Sequence, residues 1–300
     1  MMNSSSRIIN GLKIAMVFIS AVFILTSTFT FMRIVLISNP NKEQNVPGLF
    51  YSYNVDDNYQ IYIALPSNYN PSDSKRYPVI YLLDGDWYFD GSHWRIGKGG
   101  VKGIISRYAE TEEMPEAILV AIGYPSKNYR ERDYLYPTDL RFSFSSGGGM
   151  KFYSFIKDEL IPKVDAEYKT NITYGRTIIG HSHGGYFSLF SLITSELNNT
   201  SLFKNFLLVS PTVFYYNEYL LNQELTLFEK TNGTLAINIR ISVGGDELSI
   251  LVQSYERLKA RLLDRNYTGM NFDYELYENK HHRSVVEPSF NDGLQWLFSL

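Results

Sequence analysis

The chain has 300 residues, 44% of them hydrophobic, and a formal net charge of −3. That is enough apolar material for one large α/β domain of roughly 250 residues plus an N-terminal extra, and the lack of a basic surplus argues against nucleic acid as a partner. With no cysteine, disulfides, thiolate metal sites, a cysteine nucleophile and a lipid-modified cysteine anchor are excluded.

The first feature in chain order is apolar. Between Lys13 and Arg33 no residue carries a charge. As a helix rising about 1.5 Å per residue, this run nearly spans a hydrocarbon core roughly 30 Å thick. Arg7 and Lys13 precede it, so the N-terminus is expected in the cytoplasm and the rest of the chain outside, in the periplasm or at the cell surface. The run is longer than a usual signal-peptide core and no Ala-x-Ala site follows, which favours an uncleaved anchor. Apolar on all faces and set apart from the domain, it makes a poor core helix. The reading is therefore a transmembrane signal-anchor over 1–38, a polar tether over 39–47 and one large folded domain over 48–300.

Within that domain strand and helix signals alternate, with no internal repeat. Strands are expected at Tyr59–Leu65, Val79–Leu83, Ile118–Ile122, Arg176–Ile179, Phe206–Val209, Ile237–Val243 and Phe272–Tyr277. Most are short, β-branched or aromatic, and bounded by Gly, Pro or Asp, as buried parallel strands are. Helical patterns fall at Lys151–Glu159, Tyr186–Thr194, Leu248–Arg265 and Phe290–Phe298. The alternation implies a mostly parallel central sheet with helices on both faces, and in such a sheet ligands sit at the carboxyl ends of the strands.

Gly180-His181-Ser182-His183-Gly184-Gly185 lies between a strand signal and a helix signal. A serine in Gly-x-Ser-x-Gly at that junction is the nucleophile elbow of an α/β-hydrolase; the glycines admit a turn too tight for side chains, and the turn lifts the hydroxyl above the sheet edge. Without a following Lys-Ser/Thr, the stretch does not read as a phosphate-binding loop. A serine hydroxyl is a weak nucleophile and needs a base held by a third group, and in this fold the order is Ser, acid, His. The acid is expected after a late strand, in Gly244-Gly245-Asp246-Glu247, and the base after the last strand, in Glu278-Asn279-Lys280-His281-His282.

Of the five histidines, His181 and His183 are fixed to the elbow, and His93 sits early, on the cleft wall or surface. That leaves His281 and His282. A metal site built from His181, His183, His281 and His282 lacks the carboxylate spacing of hydrolytic zinc motifs, so no metal or cofactor is expected. For the oxyanion hole, one backbone N–H comes from His183 and another from the turn Asp84-Gly85-Asp86-Trp87. Arg130 and Arg132 are candidate groups for an anionic substrate; the competing role is an ion pair with Glu131, Asp133 or Asp139.

Several segments in the expected order resemble the putative-esterase (esterase D-like) family of α/β-hydrolases, closest to its bacterial trilactone siderophore esterases. They are Tyr77–Gly85, Val120–Tyr124, Arg130–Tyr134 with Pro137-Thr138, Lys151–Pro162, the elbow, Ser210-Pro211-Thr212, Val243–Glu247 and His282–Val285. The resemblance implies His282 as the base, from a His-x-Ser-Val run, and Glu247 over Asp246 as the acid, from a Val-Gly-x-x-Glu run. It also implies a serine esterase acting through an acyl-enzyme on a small-molecule ester, with Trp87, Arg130 and Arg132 near the substrate and a catecholate trilactone as the candidate. A feruloyl or acetyl-type carbohydrate esterase, or an acyltransferase, is the alternative within the fold. A catalytically inactive membrane-anchored binding module is the alternative from another class; such modules typically lose the nucleophile or the base, and this chain keeps both.

Overall fold

The computed structural model describes residues 48–93 and 96–300. The expected signal-anchor over 1–38 and tether over 39–47 lie outside the described residues. Among the described residues no helix is long and apolar enough to cross a membrane.

An eight-stranded sheet forms the centre, in the order β1-β2-β4-β3-β5-β6-β7-β8. In chain order the strands are β1 (Gly48–Ser52), β2 (Asp57–Ala64), β3 (Val79–Leu83), β4 (Ile118–Gly123), β5 (Thr177–His181), β6 (Asn205–Val209), β7 (Asn238–Gly244) and β8 (Asn271–Tyr277). β1 and β2 run antiparallel at one edge, and β4, β3, β5, β6, β7 and β8 are parallel. The two antiparallel strands form a hairpin on an otherwise parallel α/β-hydrolase sheet. β1 is an addition to the expected strands. It is an edge strand whose Leu49 and Tyr51 stay exposed, so it lacks the continuous apolar run by which its buried neighbours were recognised.

The pleat sorts the strand residues into two cores. Val79, Tyr81 and Leu83 face one side, together with Ile118, Val120 and Ile122. Ile80, Leu82, Leu119 and Ala121 face the other. The first side is covered by α4 (Gly149–Ser154), α5 (Ile161–Glu167), α6 (His183–Leu197), α7 (Tyr215–Lys230) and α8 (Ser249–Arg265), with a π-helical turn at Phe155–Leu160 joining α4 to α5. The second is covered by α2 (Gly100–Glu110) and α9 (Val286–Ser299); α1 (Gly85–Tyr88) and α3 (Arg130–Tyr134) are short. Phe290 of α9 is fully buried in the second core, and its truncation to Ala is expected to cost about 3–5 kcal/mol.

Neither α2 nor α7 was expected from the sequence. α2 opens at Gly99 and Gly100, both at positive φ, which reads as a loop, yet Val101, Ile104 and Ile105 give it a buried stripe. α7 is rich in polar residues and anchors through Leu220, Leu221, Glu224 and Leu227. The Lys151–Glu159 pattern is the middle of a longer helical stretch from Gly149 to Glu167.

Where β5 to β8 begin, one row of side chains crosses the sheet. Asn205 Nδ2 donates to Thr177 Oγ1 (3.2 Å), Asn238 Nδ2 to Asn205 Oδ1 (2.7 Å) and Asn271 Nδ2 to Asn238 Oδ1 (2.7 Å). The same residues are register partners in the ladder. Buried amides need partners, and here each supplies one to the next.

Candidate active site

Every loop at the carboxyl edge of β3, β5, β6, β7 and β8 contributes to one cluster of polar side chains. At its centre, β5 is wholly buried and ends in His181. Ser182 then turns the chain at φ 61°, ψ −119° and caps α6. Such a backbone is strained for a residue with a side chain, and three hydrogen bonds hold it. The Ser182 N–H donates to Val209 O (2.9 Å), while its carbonyl accepts from Tyr186 (3.0 Å) and Thr212 (3.4 Å) N–H groups. The turn needs Gly180, where any Cβ would fall inside the Gly184 backbone. The first N–H groups of α6, beginning at His183, have no intrahelical acceptor and lie beside the Ser182 position, where the helix dipole favours negative charge.

The carboxylate at the end of β7 is Glu247. Its side chain is fully buried and its Oε2 lies 2.5 Å from His282 Nδ1. Its Oε1 accepts from Ser210 Oγ (2.5 Å) and from the Gly244 N–H (2.8 Å). A carboxylate can only accept, so Nδ1 of His282 carries the proton and Nε2 presents a lone pair. Two backbone bonds, Gly245 N–H to Tyr277 O (2.9 Å) and Asp246 N–H to Lys280 O (3.0 Å), draw the loop after β8 onto the loop after β7. That approach requires Gly244, since a Cβ there would strike the Lys280 carbonyl.

The neighbouring candidates go elsewhere. Asp246 is exposed, and only its backbone joins the cluster. His281 is also exposed, and its ring caps its own turn by accepting from the Arg283 and Ser284 N–H groups. His181, reading as an elbow support, has a second contact: its ring centroid is 4.3 Å from that of His282. Its Nδ1 is 2.9 Å from the Tyr88 hydroxyl. A flat, buried wall thus backs the more exposed imidazole.

His183 Nδ1 is 2.9 Å from Thr212 Oγ1. Burial first, and then the positive Arg130 beside it, lowers its pKa to about 3. The ring is neutral across the working range, so it adds no competing base.

Between β3 and α1, Asp84 takes a left-handed backbone and is completely buried. Arg130 grips it with two bonds, Nε to Oδ1 (2.8 Å) and a terminal nitrogen to Oδ2 (3.0 Å), and donates a third to His181 O (3.1 Å). Burial alone would depress the Arg130 pKa, but the adjacent Asp84 charge raises it above its ordinary value. The Asp84 N–H donates to Tyr134 Oη (3.1 Å), and the Asp84 carbonyl accepts from Trp87 and Tyr88. This fixes Gly85 and Asp86 beside the elbow. Gly85 presses against β4, where a Cβ would come within 2.9 Å of Ala121 Cβ. The Asp86 carboxyl is pushed up to about 6, first by burial and then by Asp84.

The two arginines offered as substrate-binding groups are both committed to the scaffold. Arg130 pairs with Asp84 rather than with any of the three carboxylates nearer in sequence. Arg132 pairs with Asp57 (2.8 Å) and Asp133 (2.6 Å). Trp87 remains half-buried, with the Arg130 guanidinium 5.0 Å from its ring centre. Among the described residues no group of three or more His, Asp or Glu is arranged to hold a metal ion. Sequence reasoning assigned no role to Ser210 or Thr212, which bond the acid and the elbow histidine. Their position directly after β6, beside the nucleophile strand, was the available signal.

Residues 52–297 match the family model described as "Putative esterase". The ferri-bacillibactin esterase BesA of Bacillus subtilis (strain 168) is 28% identical over 264 residues, covering 80% of this chain and 86% of its own. The siderophore enterobactin esterase of Emericella nidulans is 24% identical over 307 residues, covering 87% and 96%. Among solved structures, the BES protein from Bacillus cereus superposes with a TM-score of 0.71 at 29% identity, covering 89% of this chain and 98% of that one. The match takes in β2 to β8 and runs into the last helix: the chain belongs to the putative-esterase family and is a carboxylic ester hydrolase of α/β-hydrolase fold.

Proposed function

We propose that the chain cleaves carboxylic esters through Ser182, His282 and Glu247, and that its physiological substrate is a catecholate trilactone siderophore. The observation that carries the mechanism is the 2.5 Å contact between the fully buried Glu247 and His282 Nδ1 at the strand end beside the elbow. His282 Nε2 takes the Ser182 proton as Oγ attacks the carbonyl carbon. The oxyanion that forms meets the backbone N–H groups of His183 and Asp86, each donor worth about 3–4 kcal/mol of transition-state stabilisation. The tetrahedral adduct then collapses, the ester C–O bond breaks, and His282 returns the proton to the departing alkoxide. Water repeats the sequence on the acyl-enzyme and regenerates Ser182. Glu247 holds the tautomer and offsets the positive charge on His282.

The siderophore assignment is supported by the names of the relatives. A soluble form beginning near Asn45 is given short alkyl esters, a feruloyl ester, S-formylglutathione and iron-loaded and iron-free catecholate trilactones. The trilactone is expected to have the highest kcat/KM. A tenfold advantage for the feruloyl or alkyl ester overturns the siderophore assignment and leaves ester hydrolysis standing. A fluorophosphonate probe is expected to label the wild type and not Ser182→Ala; labelling of the variant overturns the nucleophile.

The charge-free run over 14–32 supports an N-terminal anchor with the domain outside the cytoplasm. The full chain is expected to stay with membranes through carbonate extraction. A mature N-terminus between Thr26 and Asn45 would overturn this.

A further inference from the structure

Large apolar side chains are exposed in one neighbourhood beside the elbow, on two segments that face each other. Leu140 is 92% exposed, Phe142 43%, Phe144 36% and Tyr216 38%. They are ordered rather than scattered. Phe142 stacks on Phe144 (4.8 Å, 13°) and on Tyr215 (6.1 Å, 18°), and Tyr215 meets Tyr186 of α6 edge-on (5.4 Å, 81°). The Arg141 guanidinium lies 5.8 Å from the Tyr216 ring centre and donates to Asn217 Oδ1 (3.0 Å), while Asp139 holds its other side.

Short links tie the patch to the nucleophile. The Thr212 N–H donates to Ser182 O, and the Tyr215 N–H donates to Thr212 O (3.0 Å). Tyr215 Oη donates to Pro137 O (2.8 Å) and Tyr186 Oη to Tyr136 O (2.5 Å), strapping the 136–147 segment beside the start of α6.

The backbone beneath the patch is strained. Tyr216, Asn217 and Glu218 are consecutively left-handed, at φ 47°, 53° and 60°. Each such residue costs roughly 1–2 kcal/mol. Runs like this persist where surrounding contacts impose them, and they cluster at ligand clamps. Here the run sets the Tyr216 ring against Arg141. Exposed aromatic faces with a guanidinium at their edge and a nucleophile at one end suit a flat, electron-rich ring.

We propose that Phe142, Phe144 and Tyr216, with Arg141 at their edge, form a shelf that stacks a planar aryl group of the ester substrate beside Ser182. The shelf rests on the reading of Ser182 as the esterolytic nucleophile. It discriminates by ring stacking and leaves the reacting bond to the residues already described.

The test uses three substrates with one scissile bond: the methyl esters of N-benzoylserine, N-cyclohexanecarbonylserine and N-acetylserine. In Phe142→Ala and Tyr216→Ala, kcat/KM for the benzoyl ester is expected to fall about threefold to tenfold, mainly through KM, as loss of one aromatic pair implies. The acetyl ester is expected to hold within about twofold, which also reports that the site is folded. Phe142→Leu, which keeps an apolar side chain without the ring, is expected to lose the benzoyl-over-cyclohexanecarbonyl preference. If wild type shows no benzoyl preference, or if the variants slow all three esters equally, the shelf is overturned while ester hydrolysis stands. If wild type cleaves none of the three, the shelf is overturned; the Ser182 reading falls with it only if the fluorophosphonate probe also fails to label the wild type.

Discussion

Two buried carboxylates stand at the same edge of the sheet, each beside a nitrogen base, and they behave as opposites. Asp84 and Glu247 both have fully buried side chains, but the Arg130 side chain is 9% exposed and the His282 side chain 36%. Asp84 is closed on every side by Arg130 and by its own turn. Guanidinium cannot be deprotonated within a protein's working range, so this pair works as a fastener. Imidazole has a second nitrogen and can pass a proton on, and His282 turns that nitrogen away from Glu247. The difference teaches that burial of the acid does not distinguish scaffold from site; the exposure and the proton chemistry of its partner do.

Breaking the open pair gives the largest effect, and it falls on rate. His282→Ala is expected to lower kcat by roughly 10⁴–10⁶ with little change in the unfolding midpoint, and Glu247→Gln by roughly 10²–10⁴. Asp246→Asn, one residue away and exposed, is expected to stay within about threefold. Steady-state kinetics on an alkyl ester decides; a larger loss in Asp246→Asn than in Glu247→Gln would reverse the choice of acid.

Breaking the closed pair should invert that signature. Asp84→Asn leaves Arg130 buried without its charge partner and is expected to destabilise the fold by about 3–5 kcal/mol in denaturant titrations. The double variant Asp84→Asn/Arg130→Met is expected to recover part of this loss, because no unpaired charge remains. An unchanged denaturation midpoint in Asp84→Asn would contradict the fastener role.

A smaller change sharpens the comparison. Ser210→Ala removes one donor from Glu247 but leaves Gly244 N–H and His282, so kcat/KM is expected to fall about fivefold to thirtyfold, equivalent to about 1–2 kcal/mol. An effect as large as that of Glu247→Gln would make Ser210 an equal member of the unit.

The smallest effect concerns the third carboxyl at this edge. Asp86 holds its proton up to about pH 6 in the fold, against an ordinary 3.8. The unfolded chain releases that proton earlier, so wild-type stability falls as pH rises from about 4 to about 6. Asp86→Asn escapes this loss. Its advantage is expected to be negligible below about pH 4 and to level off above about pH 6 at on the order of 1 kcal/mol, trimmed by partial exposure. Urea midpoints at several pH values measure it, and an advantage largest at low pH would refute the assignment.

The elements that could be read from the sequence are those whose chemistry is local. The elbow is spelled by Gly180 and Gly184 around one serine, and the acid and base turns each follow an apolar strand, so Ser182 and the two turns could be named from position, while Glu247 over Asp246 and His282 over His281 came from the family resemblance. The pairing of Arg130 with Asp84, 46 residues earlier, was not legible, because carboxylates adjacent in sequence looked equally available. It depends on β3 and β4 lying side by side in parallel, so that the loops after them bring Asp84 and Arg130 together. Ser210 and Thr212 were hidden for the same reason: a hydroxyl after a strand has no signature until its neighbours are known. The edge strand β1 and the glycine-led helix α2 escaped because composition spoke against them locally, and tertiary packing prevailed.

The row of amides from Thr177 to Asn271 lies at the end of the strands opposite the chemistry, and it sets an alignment that the chemistry depends on. In a parallel sheet, a slip of one residue in β7 would move the acid turn by about 3.3 Å and reverse which residues face each core. A reaction that loses about a hundredfold for a 1 Å misplacement could not survive such a slip. Each amide meets its neighbour at one register only, so the row works as a datum line from which the heights of the nucleophile, acid and base turns are measured.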